Sequence, residues 1–169
     1  VVDDGLGTSN PRIWAAGDVT GHPQFVYVAG AHGSVAVDNA FTGADRVLDY
    51  AHLPRVTFTT PNIAAVGMTD EQASEAGIRC DCRVLPLQYV PRALVNRDTR
   101  GFVKLVADAD TKLLVGAHVL APEAGEMLQP AAMMIRFGIR TDEVAAMLHA
   151  YLTNAEAIKL ACQVFTTDV

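Results

Sequence analysis

The sequence predicts an α+β protein: an antiparallel sheet flanked by helices, preceded by a strand-and-helix piece of a different, α/β kind. Three observations predict it. The apolar run Ile13-Trp14-Ala15-Ala16 stops at Gly17-Asp18 and gives way to a helical pattern. Short β-rich runs separated by turn signals fill the middle of the chain. The last third carries apolar residues at helical spacing.

Taken in order, Ile13 to Val19 reads as a buried strand whose end delivers the Asp18 carboxylate to the carboxyl edge of an open sheet, where ligands bind. Thr20-Gly21-His22-Pro23 is a turn, and from Gln24 to about Thr42 apolar residues at Phe25, Val28, Ala29, Val35 and Ala36 predict a helix. Pro23 suits a first helical position, where its missing N–H costs nothing. A strand end, a turn and a helix amino terminus then converge. Unpaired N–H groups and the positive end of the helix dipole favour an anionic or electron-rich ligand there, while Asp18 accepts hydrogen bonds from sugar-like hydroxyls. The alternative is an Asp that only caps a turn. Gly5-Leu6-Gly7-Thr8-Ser9 fails as a phosphate loop, because no apolar strand precedes it and no helix follows. Gly43-Ala44-Asp45 ends the helix and Leu53-Pro54 begins new material, which divides the chain into residues 1–50 and 51–169.

In the second part, Val56-Thr57-Phe58-Thr59 and Ile63-Ala64-Ala65-Val66-Gly67 are strand signals around the turn Thr60-Pro61-Asn62. Thr69 with Gln72 three residues on is a capping box, opening a short helix that stops at Gly77. Arg79 to Leu87 is a strand. Residues 101–107 and 113–120 flank the polar Asp108-Ala109-Asp110-Thr111-Lys112 and predict an antiparallel hairpin. Ala124 to Phe137 is a helix with Met127, Leu128, Ala131, Ala132 and Ile135 inward and Gly138 as its stop. Thr141 is placed to cap a helix over Asp142 to Leu148, and Thr153 with Glu156 is a further capping box, opening a helix that runs to about Phe165.

Composition bounds the function. Half of the 169 residues are apolar and 19% are charged, enough for one good core. A net charge of −6 and the lack of clustered Lys and Arg argue against nucleic-acid binding. No apolar run approaches the length of a membrane helix, and the first residues lack a signal-peptide layout, so a cytoplasmic protein is expected. Cys80, Cys82 and Cys162 lack the spacing of a disulfide framework and suit a reducing compartment. One residue apart on a strand, Cys80 and Cys82 read as two edge or buried thiols, with a soft-metal clamp as the alternative; Cys162 reads as a small core hydrophobe. Val1 onward reads like the middle of a domain, so a segment of a longer protein is expected.

The string Thr8-Ser9-Asn10-Pro11-Arg12-Ile13-Trp14-Ala15-Ala16-Gly17-Asp18-Val19 resembles the second flavin-binding motif of the pyridine nucleotide-disulfide oxidoreductases. The resemblance implies that Gly17 and Asp18, with Gln24, Phe25 and Val26 at the helix start, bind FAD, Asp18 at the ribityl chain and the helix end at the flavin N1–O2 edge. Beyond residue 50, Phe58-Thr59-Thr60-Pro61, Thr99-Arg100-Gly101-Phe102-Val103-Lys104-Leu105, Gly116-Ala117-His118-Val119 and Glu123-Ala124-Gly125-Glu126 resemble the same family's dimerisation domain. The resemblance implies that residues 1–50 close an α/β FAD-binding domain, that residues 51–169 form the dimerisation domain, and that the protein is a homodimer.

His149-Ala150-Tyr151-Leu152-Thr153-Asn154-Ala155-Glu156 discriminates within the family. Disulfide-reducing members carry His-Pro-Thr here, with a His-Glu pair that serves the partner's redox disulfide. Tyr151 and Leu152 stand in place of His and Pro, and a phenol with a reference pKa of about 10 is a poor proton shuttle at neutral pH. The resemblance is to the Hg(II)-reducing branch, which Gln24-Phe25-Val26-Tyr27-Val28-Ala29 and the segment from Val90 to Phe102 also resemble. It implies Hg(II) as substrate, FAD and NADPH as electron carriers, Tyr151 as a catalytic residue in contact with the metal ion, and Glu156 as a second catalytic candidate. Tyr151 as mere packing at a dimer seam and Glu156 as a helix cap are the structural alternatives. That branch ends in a vicinal cysteine pair, and this sequence stops short of it. The NADPH site, the FAD phosphate loop and the redox cysteine pair are not among these residues, so the segment alone is expected to be inactive. A dihydrolipoamide dehydrogenase-like enzyme and a pure dimerisation module are the competing functions.

Overall fold

The helix expected after Pro23 begins at Val26 and ends at Thr42 (α1, Val26–Thr42), with Gly43 in a left-handed cap. Its inward stripe is Val28, His32, Val35 and Ala36, the spacing of one helix face. Pro23 is not a helical residue. Phe25 is the N-cap in extended conformation, and its N–H donates to the Pro23 carbonyl at 3.2 Å, so the chain enters the helix only after Phe25.

The computed structural model describes residues 1–166; the chain divides into two compact units, Val1–Tyr50 and Ala51–Val169. The tail beyond which a vicinal cysteine pair would follow lies outside the described residues. In the first unit the buried strand expected over Ile13–Val19 does not form. Trp14 makes one antiparallel bridge, to Gly7, Ile13 is 52% exposed, and Asp18–Thr20 is a turn of 3-10 helix. A strand needs a neighbour along its whole length, and within this unit only the short stretch around Leu6 to Thr8 lies beside it, through Thr8 N–H to Ile13 O at 3.1 Å and Ala15 N–H to Leu6 O at 3.0 Å. Leu6, Val35 and Ala36 form the small core, with Val2, Trp14 and Leu48 packed against it.

The second unit is a five-stranded sheet built from β1 (Arg55–Thr57), β2 (Asn62–Gly67), β3 (Cys80–Pro86), β4 (Phe102–Asp108) and β5 (Leu114–Ala121), in the order β1-β2-β5-β4-β3. Every neighbouring pair is antiparallel. In the β4–β5 hairpin, Asp108 Oδ1 accepts the N–H groups of Asp110 at 2.8 Å and Thr111 at 3.2 Å, closing the turn. The first short helix is α2 (Asp70–Glu75), opened by the capping box expected there: Gln72 N–H donates to Thr69 Oγ1 at 3.2 Å and Thr69 N–H to Gln72 Oε1 at 3.0 Å. A helix that the strand and hairpin signals did not reveal, α3 (Pro91–Asn96), starts with proline at its first position.

One face of the sheet carries α4 (Ala124–Phe137), which buries Met127, Leu128, Ala131 and Ala132 as expected, with Ile135 only half-buried and Met134 inward as well. Next comes α5 (Thr141–Ala146). Thr141 is its first residue rather than its cap; its hydroxyl donates to Lys112 O at 3.4 Å, and the Arg140 N–H donates to Glu143 Oε2 at 3.1 Å. The last α-helix, α6 (Glu156–Gln163), turns Ala157, Ile158, Ala161 and Cys162 into the core. Burial pushes the Cys162 thiol up to about 12, in keeping with a small core hydrophobe. Among the described residues no helix is long and apolar enough to cross a membrane.

Candidate functional site

The first unit concentrates its polar chemistry around Gly17. Its backbone, φ 80 and ψ −156, occupies a region essentially reserved for glycine, and this is why a glycine precedes Asp18. The Thr20 hydroxyl donates to Gly17 O at 2.7 Å and accepts the His22 N–H at 3.2 Å, which locks the turn. An added Cβ on Gly17 would sit 3.4 Å from the Ala29 side chain, so the turn packs on the first half of α1. The Gly17 N–H donates to Nδ1 of fully buried His32 at 3.1 Å. On the far side of that ring, Nε2 lies 2.7 Å from the Tyr50 hydroxyl. Because Nδ1 accepts, the neutral ring carries its proton on Nε2 and donates to Tyr50. His22 stacks on Tyr50, with ring centroids 5.5 Å apart, and meets His32 edge-on at the same separation. Burial, followed by the neighbouring His22, holds the His32 pKa below the usual histidine value. Burial, followed by Asp4, raises that of Tyr50.

Asp18 and Gln24 are exposed and Phe25 half-buried, while Val26 is 89% exposed. No acidic residue occupies the first turn of the 17-residue α1, so nothing within the helix offsets its positive end. An exposed carboxylate at Asp18 and, in the same unit, a long helix with no acidic residue in its first turn suit a ligand offering hydroxyls on one part and an electron-rich edge on another. Gly17, Asp18 and Gln24 to Val26, which the resemblance implies as FAD-binding, lie in this unit. No motif marks His22, His32 and Tyr50 as a cluster, although His32 sits on the apolar stripe of its helix, where a polar residue signals a buried hydrogen-bonded role.

In the second unit the Tyr151 ring is 76% exposed, in the segment joining α5 to α6. The segment is pinned on both sides. Thr153 Oγ1 donates to Ala150 O at 2.9 Å and accepts the Glu156 N–H at 3.2 Å, and Asn154 Nδ2 donates to Glu123 Oε2 at 2.7 Å. Only the threonine half of the expected Thr153–Glu156 capping box is formed. Glu156 is 9% exposed, its carboxylate turns inward, and Oε2 has no hydrogen-bond partner among the described residues. Tyr151 and Glu156 share one segment but meet opposite environments: one ring faces out, and one carboxylate is enclosed. His149 is half-buried, with Nδ1 3.5 Å from Met147 O.

This architecture has named relatives. The family described as pyridine nucleotide-disulphide oxidoreductase, dimerisation domain, matches residues 53–162. The mercuric reductase of Streptomyces lividans is 59% identical over 169 residues, which is 100% of this chain and 36% of that protein. That of Bacillus cereus is 48% identical over 100% of this chain and 27% of its own length. The chain thus spans about a third of the curated relatives it matches. Among solved structures, the flavoprotein disulfide reductase RclA from Escherichia coli superposes with a TM-score of 0.90 at 32% identity, covering 97% of this chain and 38% of that one. LpdA from Mycobacterium tuberculosis superposes with a TM-score of 0.88 at 29% identity over 98% of this chain and 36% of its own. With its five-stranded antiparallel sheet and flanking helices, and with the family's dimerisation domain over most of its length, the chain belongs to the pyridine nucleotide-disulphide oxidoreductase family.

Proposed function

We propose that the chain is the carboxy-terminal part of a mercuric reductase, in which residues 1–50 close the FAD-binding domain, residues 51–169 form the dimerisation domain, and the whole protein reduces Hg(II) to Hg(0) with NADPH as donor. The observation that carries this reading is identity along the entire chain to mercuric reductases, joined to the tyrosine at position 151. The Asp18 carboxylate accepts hydrogen bonds from the hydroxyls of the ribityl chain, and Gln24, Phe25 and Val26 present the amino end of α1 to the flavin edge. Gly17 keeps the turn narrow enough to pack on α1. FAD bound there supplies the hydride and electron chemistry that side chains lack. Tyr151 offers a neutral oxygen to a thiophilic cation or orders the pocket around it, and Glu156 supplies a buried carboxylate at the start of α6. Passing a metal ion between thiolates needs no imidazole acid or base, which fits the absence of histidine at position 151.

The second unit is the association module. Met133, Phe137, Met147, Leu148 and Tyr151 are large apolar residues left between 49% and 97% exposed, a surface that a two-fold copy of the chain covers. Three free cysteines suit the reducing cytoplasm.

Assay of the full-length protein decides the reading. NADPH oxidation that depends on Hg(II), with little turnover of oxidised lipoamide, is the expected result; turnover with lipoamide alone would replace it with a dihydrolipoamide dehydrogenase-like function. Residues 1–169 alone should oxidise no NADPH with either substrate.

A further inference from the structure

Cys80 and Cys82 occupy alternate positions on β3, an edge strand of the sheet, so both thiols leave the same face. It is the face away from the main core: Leu85, three residues on from Cys82 and so on the opposite face, is the β3 residue that enters that core. Both thiols are free and half-buried, with their sulfurs 3.6 Å apart. The start of α2 lies over them, with Asp70 O and Ser74 Oγ each 3.9 Å from Cys80 Sγ. Beside them, the Lys104 ammonium pairs with the Asp70 carboxylate at 2.8 Å.

Three features define what this pair can hold. Its donors are two soft sulfurs, and the nearest other groups are hard oxygens and an ammonium. Among the described residues no group of three or more His, Cys, Asp or Glu side chains is placed to hold a metal ion. A cation that requires four ligands, such as Zn(II), therefore finds only half a shell, whereas a thiophilic cation content with two sulfurs finds a complete one. Charge points the same way. Burial first, then the hydrogen bond to Cys80, pushes the Cys82 thiol up to about 11, so an isolated thiolate is disfavoured. One divalent cation replacing two thiol protons leaves the site's net charge unchanged and avoids that penalty.

We propose that Cys80 and Cys82 form a two-sulfur chelate for a thiophilic divalent cation that accepts linear coordination, with Hg(II) as its probe. The step is a ligand exchange without redox change: with Hg(II) supplied as HgCl2, two S–H and two Hg–Cl bonds break, two S–Hg bonds form, and two protons and two chloride ions pass to solvent. With metal–sulfur bonds of about 2.3 Å as for Zn(II), a linear unit spans about 4.6 Å. The sulfurs part by about 1 Å to accept it, through side-chain torsions on a face that α2 covers only in part. The site goes beyond the function proposed above and needs neither flavin nor nicotinamide, so its test can fail without touching that reading.

The test uses residues 1–169 with HgCl2 in chloride-containing buffer. Without competitor, the chain should release two protons per bound Hg(II). Passed through a desalting column in excess glutathione, it should keep one Hg(II) per chain, and Zn(II) treated the same way should fall below about a tenth of that. Cys80→Ser and Cys82→Ser should each lower Hg(II) retention at least tenfold, and the double variant, left with buried Cys162, should retain none. One proton per Hg(II), retention by the double variant, or Zn(II) held as firmly as Hg(II) would each overturn the proposal. Proton release and the zinc comparison use the unaltered chain and hold whatever the variants' folding.

Discussion

The Gly17 N–H donates to Nδ1 of His32 across fifteen residues of chain, at 3.1 Å, and this bond exists only while His32 is neutral. A backbone turn carrying an exposed carboxylate is thereby tied to a buried ring, which is itself tied to Tyr50 at 2.7 Å.

Acid should loosen the first unit. The folded pKa of His32 lies below its ordinary value of 6.5, so between the two values the unfolded chain binds more protons than the folded one. The contribution to stability is present above 6.5 and is lost as pH falls through the folded pKa. His22 and Asp4 are the ionisable neighbours that act on this cluster. The sole tryptophan, Trp14, packs against the core of this unit, so urea titrations followed by its fluorescence should show the midpoint falling below pH 6.5. In His32→Gln that pH dependence should be much weaker.

Tyr50→Phe removes the oxygen facing His32 Nε2 and leaves a buried N–H without its partner. The expected cost is about 1–3 kcal/mol, read from the same tryptophan-detected unfolding. An unchanged midpoint would mean that water replaces the phenol.

Arg100 holds the Asp98 carboxyl down to about 2, through its side-chain hydrogen bond first, with Arg100 Nη2 2.7 Å from Asp98 Oδ2. Arg100→Ala should return the carboxyl to the ordinary carboxylate range, measured by carbon NMR titration of the side chain. The pair favours folding above the ordinary carboxylate pKa, and that contribution disappears as pH falls through the depressed value.

Gly101→Ala should destabilise the second unit by about 2–4 kcal/mol in thermal or urea unfolding. Gly101 has φ +117, and an added Cβ would fall 1.9 Å from Leu120 O, so neither the backbone angle nor the space tolerates a methyl group.

Phe137→Glu and Leu148→Glu should shift the chain from dimer to monomer in sedimentation at micromolar concentration, since these side chains are 69% and 97% exposed in the single chain. A chain that sediments as a monomer before substitution would remove the association module from the proposed function.

Much of this protein was legible in its local sequence. The capping box at Thr69–Gln72, the Asp108 turn between β4 and β5, and the apolar spacing of α4 are short-range devices, and each appears as expected. Where local reading failed, the partner was distant. The run Ile13–Val19 has strand composition, but too short a stretch of chain lies beside it in its unit. Glu156 carries a capping-box signature, yet its carboxylate is drawn into the protein. The α3 helix was missed because the segment after β3 carries little apolar periodicity, although Pro91 marks its start.

By itself, then, the sequence determined most of the element types in residues 51–166, the glycine before Asp18 and the family, because propensity, periodicity and motif spacing act over a few residues. Tertiary structure alone decided the strand order β1-β2-β5-β4-β3, the Gly17–His32–Tyr50 chain of hydrogen bonds and the opposite environments of Tyr151 and Glu156. These depend on which groups distant in sequence exclude water together, a property no short window of sequence contains.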